Sequence, residues 1–345
     1  MNSISLKKKR IITLSILIGL LLVLFIASLF IGSSKMLFID GIKGLFGVGD
    51  ESNVIIMQNI RLPRVIAALI AGVALSISGV IMQTVSNNVM ASPSTLGVSN
   101  AAVLGANIAI VILGGGTIIS RGGIDISNPY IVSLIAFAFA FGSIMLVLGL
   151  SRIKKFNNAT TVLIGVTFGT FCTGLTTLVQ YFASDTTLSA AVYWSFGDLG
   201  RANYVDNLIM LFVTAISLVF FLVFSYRYNA LLLGEDSAST LGINLNVFRF
   251  ISLLLASLIT ATVVSLIGII GFIGLIVPQI IRKIMGSDHK YLLIGSSLLG
   301  ATVLLFSDIM SRILINGVAL PVGAITSILG APIFIVLLLI GRRKK

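Results

Sequence analysis

Residues 61–97 of the chain read RLPRVIAALIAGVALSISGVIMQTVSNNVMASPSTLG. Two arginines, Arg61 and Arg64, precede a run from Val65 to Val85 that contains no charged residue. Within this run small or polar residues recur at intervals of three or four, which places them on one face of a helix. These residues are Ala68, Gly72, Ser76, Gly79 and Gln83. In an apolar helix such a face permits close packing of a second helix, or it borders a substrate path.

Composition places the whole chain in a membrane. Of 345 residues, 57% are hydrophobic and only 10% are charged, and the mean hydropathy is +1.13. Soluble domains carry roughly 25% charged residues, so an ordinary soluble protein is excluded. The net charge of +12 does not indicate nucleic-acid binding, because the basic residues cluster at the ends of apolar runs. That distribution is typical of the cytoplasmic loops of membrane proteins.

The apolar runs predict an all-α integral membrane protein of about ten spans, in a single permease domain covering residues 1–345. The uncharged stretch 250–281 is long for one span, and dividing it into two places the basic C-terminus in the cytoplasm together with the N-terminus. Asp50 and Asp125 are then expected outside, and Lys154 and Glu235 inside. The predicted spans are about 11–32, 61–84, 95–114, 130–151, 161–183, 205–226, 247–265, 268–286, 291–311 and 320–340.

No catalytic constellation is visible in the sequence. There is one histidine, His289, so no histidine pair can hold a metal, and no G-x-x-x-x-G-K-[ST] motif for binding nucleotide occurs. Ion-coupled carriers usually need carboxylates within the membrane, and here only Asp308 is a candidate. We therefore expect no catalytic residues, no cofactor and no metal site, and a conduit that is driven by a partner rather than an enzyme.

The 61–97 pattern resembles the FecCD-like permease family of ABC importers for iron–siderophores, haem and cobalamin. The family motifs are R-x-P-R, then G-x-x-x-x-x-S-G-x-x-x-Q, then N-P-L-A-x-P-x-x-L-G. The matching residues are Arg61, Pro63, Arg64, Gly72, Ser78, Gly79, Gln83, Asn88, Ala91, Pro93, Leu96 and Gly97. Val89 departs from the family, which usually has proline there. The resemblance implies the architecture of a type II ABC importer permease.

Residues 231–247 form a second polar motif, which resembles the family's G-E-x-x-A-x-x-L-G. The matching residues are Gly234, Glu235, Ala238, Leu241 and Gly242. The resemblance implies that this segment couples the permease to the cytoplasmic ATP-binding subunits. From the residues alone, a solvated loop with a capped helix is an equal alternative.

The C-terminal third carries further family motifs and departs from them at Gln279, Lys290, Ser307 and Ala319. Gln279 replaces a usual histidine and Ala319 replaces a common glutamate, which puts the roles of those family residues in doubt here. Asp308 and Arg312 are four residues apart and are expected to pair on one helix face. His289 beside Asp288 suggests either a pH-sensitive site or, as we favour, a capped turn. Trp194 is expected to be an interfacial anchor rather than a stacking platform for substrate.

The resemblance also implies the partners and the cargo. They are two permeases, identical or paralogous, two cytoplasmic ATPases and one extracellular or periplasmic binding protein in a bacterial cell membrane. It implies that Arg61, Arg64 and Arg312 dock acidic residues of the binding protein, whereas the residues alone also allow side chains that merely position helices at the interface. A ferric siderophore is the expected cargo, with haem or cobalamin as alternatives. A stand-alone secondary transporter and a membrane scaffold are the rival functions.

Overall fold

The computed structural model describes residues 3–32, 36–114, 117–120, 123–126, 128–153, 158–234, 238–239, 244–315 and 318–342. These residues form helices almost throughout, with one short antiparallel hairpin. The contacts divide the chain into two compact units, each assembled from segments that are separate in sequence. No linker in the sequence corresponds to this division, and the single-domain assignment stays a prediction.

The first unit comprises Met1–Ile77, Asp198–Ser225 and Ile270–Lys345. A π-helical turn, Ile56–Arg61, joins two of its helices, and a 3-10 turn, Leu199–Arg201, precedes another. Its helices are α1 (Ser3–Phe30), α2 (Phe38–Leu45), α3 (Glu51–Ile55), the first part of α4 (Leu62–Val85), α9 (Tyr204–Val223), α12 (Ile273–Met285), α13 (His289–Ile313) and α14 (Val322–Arg342).

The second unit comprises Ser78–Gly197 and Tyr226–Ile269. It holds the hairpin of β1 (Thr117–Ser120) and β2 (Gly123–Ile126), in which Thr117 pairs with Ile126. A 3-10 turn, Ser94–Leu96, and a π-helical turn, Ile108–Ile112, flank α5. Its helices are the second part of α4, α5 (Val98–Asn107), α6 (Pro129–Ile153), α7 (Asn158–Tyr181), α8 (Asp185–Ser195), most of α10 (Ser225–Leu231) and α11 (Leu245–Ile267).

The fold confirms the prediction of a helical, multi-pass membrane protein. Within the described ranges, seven helices are long and apolar enough to cross a bilayer. They are Lys7–Phe30, Glu51–Val85, Pro129–Arg152, Thr160–Tyr181, Tyr204–Val223, Leu245–Ile267 and His289–Ile313. The third, eighth and tenth predicted spans overlap shorter helices, Val98–Ile112, α12 and Val322–Leu337. The number of spans and the side on which each terminus lies stay predictions.

The uncharged stretch 250–281 is divided into two helices by residues 268–272. Gly268 ends α11 with a φ of +83°, and a Cβ at this position would lie 2.8 Å from the carbonyl oxygen of Trp194. Phe272 begins α12 with a φ of +66°, which is strained for a bulky side chain. The residues of this region therefore mark a break between two helices within the uncharged stretch.

Close backbone approaches hold the second unit together. A Cβ at Gly105 in α5 would lie 2.7 Å from the carbonyl oxygen of Ile135 in α6, and a Cβ at Gly165 in α7 would lie 2.7 Å from Cα of Leu96. Polar side chains add to this packing, because Gln180 donates to the Asn107 side chain at 3.0 Å. Small residues and interhelical amide bonds are the usual means of packing helices in lipid, where burial from water contributes little.

Candidate functional site

Three arginines of the first unit gather where π-helix 56–61, α4 and α13 meet. Arg61 ends the π-helical turn, Arg64 lies in the first turn of α4, and Arg312 lies in the last turn of α13. Their side chains are buried, with 4%, 8% and 7% of the residue surface exposed. The π-helical turn ends two residues before Pro63, which has no N–H to donate to an α-helical hydrogen bond. The local register at Pro63 thus determines where Arg61 and Arg64 project.

Asp308 is the counter-charge at the centre of this cluster. Its Oδ1 accepts a hydrogen bond from Nε of Arg64 at 2.7 Å, and its Oδ2 lies 2.7 Å from Nη2 of Arg312. The carboxylate is fully buried. The pair four residues apart in α13 was expected from the sequence, but the bond to Arg64 was not. A second acid, Asp198, lies 3.7 Å from Nη1 of Arg64 and is partly exposed.

Two of the guanidinium groups also cap the C-terminal end of α1. Arg61 and Arg312 each donate from Nη1 to two backbone carbonyl oxygens in the last turn of this helix or directly after it, and Nη2 of Arg312 donates to a serine hydroxyl at 2.6 Å. The carbonyl acceptors are Leu29 at 2.9 Å and Phe30 at 3.0 Å for Arg61, and Ser28 at 2.9 Å and Ile31 at 2.8 Å for Arg312. Carbonyls at a helix end have no partner within the helix, and the helix dipole favours positive charge there.

The arginine cluster therefore differs from the surface group that the sequence suggests. Docking of the binding protein by Arg61, Arg64 and Arg312 implies exposed side chains, and the structure instead buries them within the chain. The reason is that Asp308 and the α1 carbonyls provide their acceptors from inside. No signal in the sequence indicates that Ser28 is a partner of these arginines. For Asp198, the only such signal is its position in a polar stretch. Docking by these arginines stays a prediction.

The small-residue face of α4 contacts α13 in the first unit. A Cβ at Gly72 would lie 2.5 Å from the carbonyl oxygen of Gly300 and 2.6 Å from Cα of Ala301. A Cβ at Gly300 would in turn meet the Gly72 carbonyl, and would lie 2.6 Å from Oγ of Ser76. Gly72 and Ser76 therefore belong to a close helix–helix contact.

In the second unit, the same face of α4 continues with Gly79 and Gln83, and both are buried. The neighbouring motif residue Ser78 donates to the carbonyl oxygen of Ala256 in α11 at 2.7 Å. Its hydroxyl also lies 3.0 Å from that of Thr260. The path-lining alternative for this face gains no support from exposed side chains in either unit.

The predicted coupling segment is described only in part. Gly234 has a φ of +110°, and its carbonyl accepts from the N–H of Ala238 at 3.1 Å. Ala238 is fully buried. Glu235, Leu241 and Gly242 lie outside the described residues, so the geometry of the remaining motif rests on the sequence.

The turn between α12 and α13 is a capped turn that holds the N-terminal end of α1. Asp288 caps α13 by accepting from the N–H of Lys290 at 3.2 Å. Arg10 donates to the Met285 carbonyl at 2.9 Å, pairs with Asp288 at 3.4 Å and lies 4.3 Å above the ring of Tyr291. This favours the capped-turn interpretation of residues 288–289.

Other sequence predictions have mixed outcomes. Trp194 is buried within the second unit, so it is not the exposed interfacial anchor that we expected. Ala319 is exposed, and Gln279 lies in α12 beside Pro278. Among the residues that the structure describes, no three His, Cys, Asp or Glu side chains lie close enough to hold a metal ion.

Comparison with known proteins gives a consistent result. The model of the FecCD transport family matches residues 20–340. A protein of Methanocaldococcus jannaschii named as an ABC transporter permease is 42% identical over 93% of this chain and 93% of its own length. The vitamin B12 import system permease protein BtuC of Vibrio vulnificus is 32% identical over 95% of this chain and 93% of its own length.

Two solved structures have a similar fold. A chain of a metal-chelate type ABC transporter in an inward-facing conformation superposes with a TM-score of 0.81 at 29% identity, covering 94% of this chain and 98% of that chain. A chain of PsaBC from Streptococcus pneumoniae shares the fold at a TM-score of 0.55 and 16% identity, covering 86% of this chain and 93% of that chain.

Proposed function

Because the chain belongs to the FecCD transport family, we propose that it conducts an intact metal chelate through the membrane, with a ferric siderophore as the first candidate. The chain is an ABC transporter permease of the metal-chelate importer type, and hence a transport subunit rather than an enzyme. Cobalamin is the second candidate, because relatives 32–37% identical to this chain are named vitamin B12 permeases. Haem is a third chelate of the same class.

The observation that carries the proposal is a polar stripe on the exposed side of α7. Few residues of this helix are buried in the single chain, although it is apolar enough to span a membrane. One side of the exposed face carries small hydroxylated residues and a glycine, namely Thr167, Thr170, Thr173, Gly174 and Thr177. Several of these hydroxyls are satisfied by their own helix, as where Thr170 donates to the Val166 carbonyl at 3.0 Å.

A stripe of this kind fits a wall of a wet path better than a face turned to lipid. The threonine hydroxyls can remain in a membrane because the backbone satisfies them, yet each oxygen can still accept a bond from water or cargo. Small side chains leave room for a bulky chelate or for a second helix. We infer that α7 faces a second permease, identical or paralogous, and that the path runs between the two copies.

Partners provide the energy and deliver the cargo in this proposal. Cytoplasmic ATP-binding subunits engage the segment that contains Gly234, Glu235, Ala238, Leu241 and Gly242, and their hydrolysis of ATP drives transport. The buried Ala238 gives the segment a fixed point on the permease, while the charged Glu235 is suited to a polar contact.

An extracellular or periplasmic binding protein presents the chelate at the end of the permease where Arg61, Arg64 and Arg312 cluster. Among the residues that the structure describes, Arg64 and Arg312 pair with Asp308 and Asp198, and Arg61 lies beside them, so the cations of the cluster outnumber its carboxylates, which suits acidic partners. Because the groups are buried, their field acts on the partner at a distance, rather than through direct contacts of all three. Docking should then weaken as salt rises, and an affinity that is independent of salt would argue against this charge-based docking.

Reconstituted uptake tests the proposed function. Proteoliposomes that contain this permease, its ATPase and its binding protein should accumulate a radio-iron-labelled ferric siderophore in the presence of ATP, and not labelled cobalamin. Uptake of cobalamin alone would select the second candidate. Uptake without the ATPase would support a secondary transporter and overturn the proposal. In the same assay Glu235→Arg should abolish uptake, whereas Glu51→Arg, a matched change on the opposite side of the predicted topology, should not.

The role of α7 is tested by Gly174→Leu. A Cβ at Gly174 meets no atom of this chain within 4 Å, so leucine should leave the fold of the single chain intact. If α7 packs against a second copy and the path, uptake should fall about tenfold or more, since overpacking a close contact costs roughly 1–3 kcal/mol. Gly142→Leu in α6 is the matched control, because its Cβ site is equally open. If the Gly174→Leu variant takes up cargo at the wild-type rate, α7 faces lipid rather than a second permease.

A further inference from the structure

The short helix α2 carries an apolar face that the chain leaves exposed. Its glycine side is buried, and its charged residues, Asp40 and Lys43, lie on another side. The remaining side presents large apolar residues at helical spacing, namely Phe38, Ile39 and Ile42, together with Phe46, which directly follows the helix. Phe46 is 76% exposed. Such a helix is amphipathic, but it turns its apolar face away from its own protein.

Contacts with the end of α1 and with α3, which leads into the second apolar helix, fix the position of α2. A Cβ at Gly41 would lie 2.9 Å from the ring of Phe30, the last residue of α1, and a Cβ at Gly44 would lie 2.8 Å from the carbonyl oxygen of Asn53 in α3. The rings of Phe30 and Phe38 have centroids 4.3 Å apart. Gln58 donates to the Leu45 carbonyl at 3.1 Å. The helix is thereby held at the level where one span ends and the next begins.

This position determines what the apolar face meets. A helix tied to the ends of two spans lies at the boundary between the hydrocarbon and the water. At that depth, aromatic and aliphatic side chains enter the headgroup and upper acyl region, while charged residues stay on the aqueous side. We propose that α2 is an interfacial helix whose exposed face, formed by Phe38, Ile39, Ile42 and Phe46, inserts into the lipid surface.

Tryptophan fluorescence in liposomes tests this proposal. In a Trp194→Phe background, the variants Phe46→Trp and Lys43→Trp place one indole on the apolar side or on the charged side of the same helix. Lipids brominated near the headgroup should quench Phe46→Trp about twofold more than Lys43→Trp, and its emission should be bluer. Lipids brominated near the bilayer centre should quench it less than the shallow ones.

Equal quenching of the two variants would overturn the proposal. So would protection of Phe46→Trp from brominated lipid together with cross-links between copies at this position, because the face would then belong to a second permease. If tryptophan at either site lowers the folded yield, spin labels at Phe46→Cys and Lys43→Cys in a Cys172→Ser background provide the same comparison. Greater accessibility to oxygen than to a water-soluble nickel chelate is expected at position 46 alone.

Discussion

Replacing Gly72 with leucine is expected to abolish the folded permease. The added Cβ would lie 2.5 Å from the Gly300 carbonyl oxygen and 2.6 Å from Cα of Ala301, so it would meet backbone atoms that cannot rotate away. Overpacking in a core costs roughly 1–3 kcal/mol where side chains can adjust, and more is expected where two helices must separate. Folded yield and melting temperature of the detergent-purified chain measure the loss. Gly142→Leu, at an open site in α6, should behave as wild type.

A graded series makes this result specific to the contact. Gly72→Ala should be intermediate, since only one methyl group must be accommodated. Gly19→Leu adds the same side chain to α1 at a site where a Cβ meets nothing within 4 Å, and it should also leave the melting temperature unchanged. If the Gly72→Leu protein has the same melting temperature as these controls, α4 and α13 are not closely packed at this point.

Replacing Asp308 with asparagine should have the second large effect. The change removes the one fully buried carboxylate between Arg64 and Arg312, and leaves two buried guanidinium groups close together. Breaking a buried ion pair from one side typically costs about 3–5 kcal/mol. We expect a strongly lowered melting temperature and a low folded yield. The deficit should persist at high salt, because buried charges are poorly screened.

Two comparison variants separate charge from packing at this site. Ser307→Ala changes the neighbouring buried residue, whose hydroxyl only bonds to the Val303 carbonyl of its own helix, and should cost little. Adding Arg64→Met to Asp308→Asn removes one of the two cations and should restore part of the lost stability. Equal melting temperatures for Asp308→Asn and Ser307→Ala would mean that the network contributes nothing to the fold.

The helical membrane fold was predictable because a long uncharged apolar run has few stable structures other than a membrane-spanning helix. Short amphipathic elements were not, since they lack such runs. The segment 33–60 was expected to be an outer connection, yet it contains α2, α3 and a π-helical turn, and helix begins at Glu51, ten residues before the predicted span. Likewise α8 and the β1–β2 hairpin lie in stretches that were expected to be loops.

The site was predictable only where its partners are close in sequence. The Asp308–Arg312 pair follows from helical spacing, whereas the Arg64–Asp308 bond joins residues 244 positions apart and depends on tertiary packing. The small face on α4 was visible in the sequence, but its partner Gly300 was not. Burial of the three arginines could not be inferred, because nothing local indicates that carbonyls of α1 would accept from them.

The capping of α1 has a consequence for biogenesis. Arg312 follows its acceptor Ser28 by 284 residues, and the partners of Arg10 lie at 285–291. Ribosomes add roughly 5–20 residues per second, so Arg61 is available to the Leu29 and Phe30 carbonyls within seconds, whereas Arg312 and the partners of Arg10 follow on the order of tens of seconds later. During that time the carbonyls of Ser28 and Ile31, which accept from Arg312, depend on water or lipid headgroups. α1 is therefore secured in two steps, first at its C-terminal end by Arg61 and later at both ends, when α13 is complete.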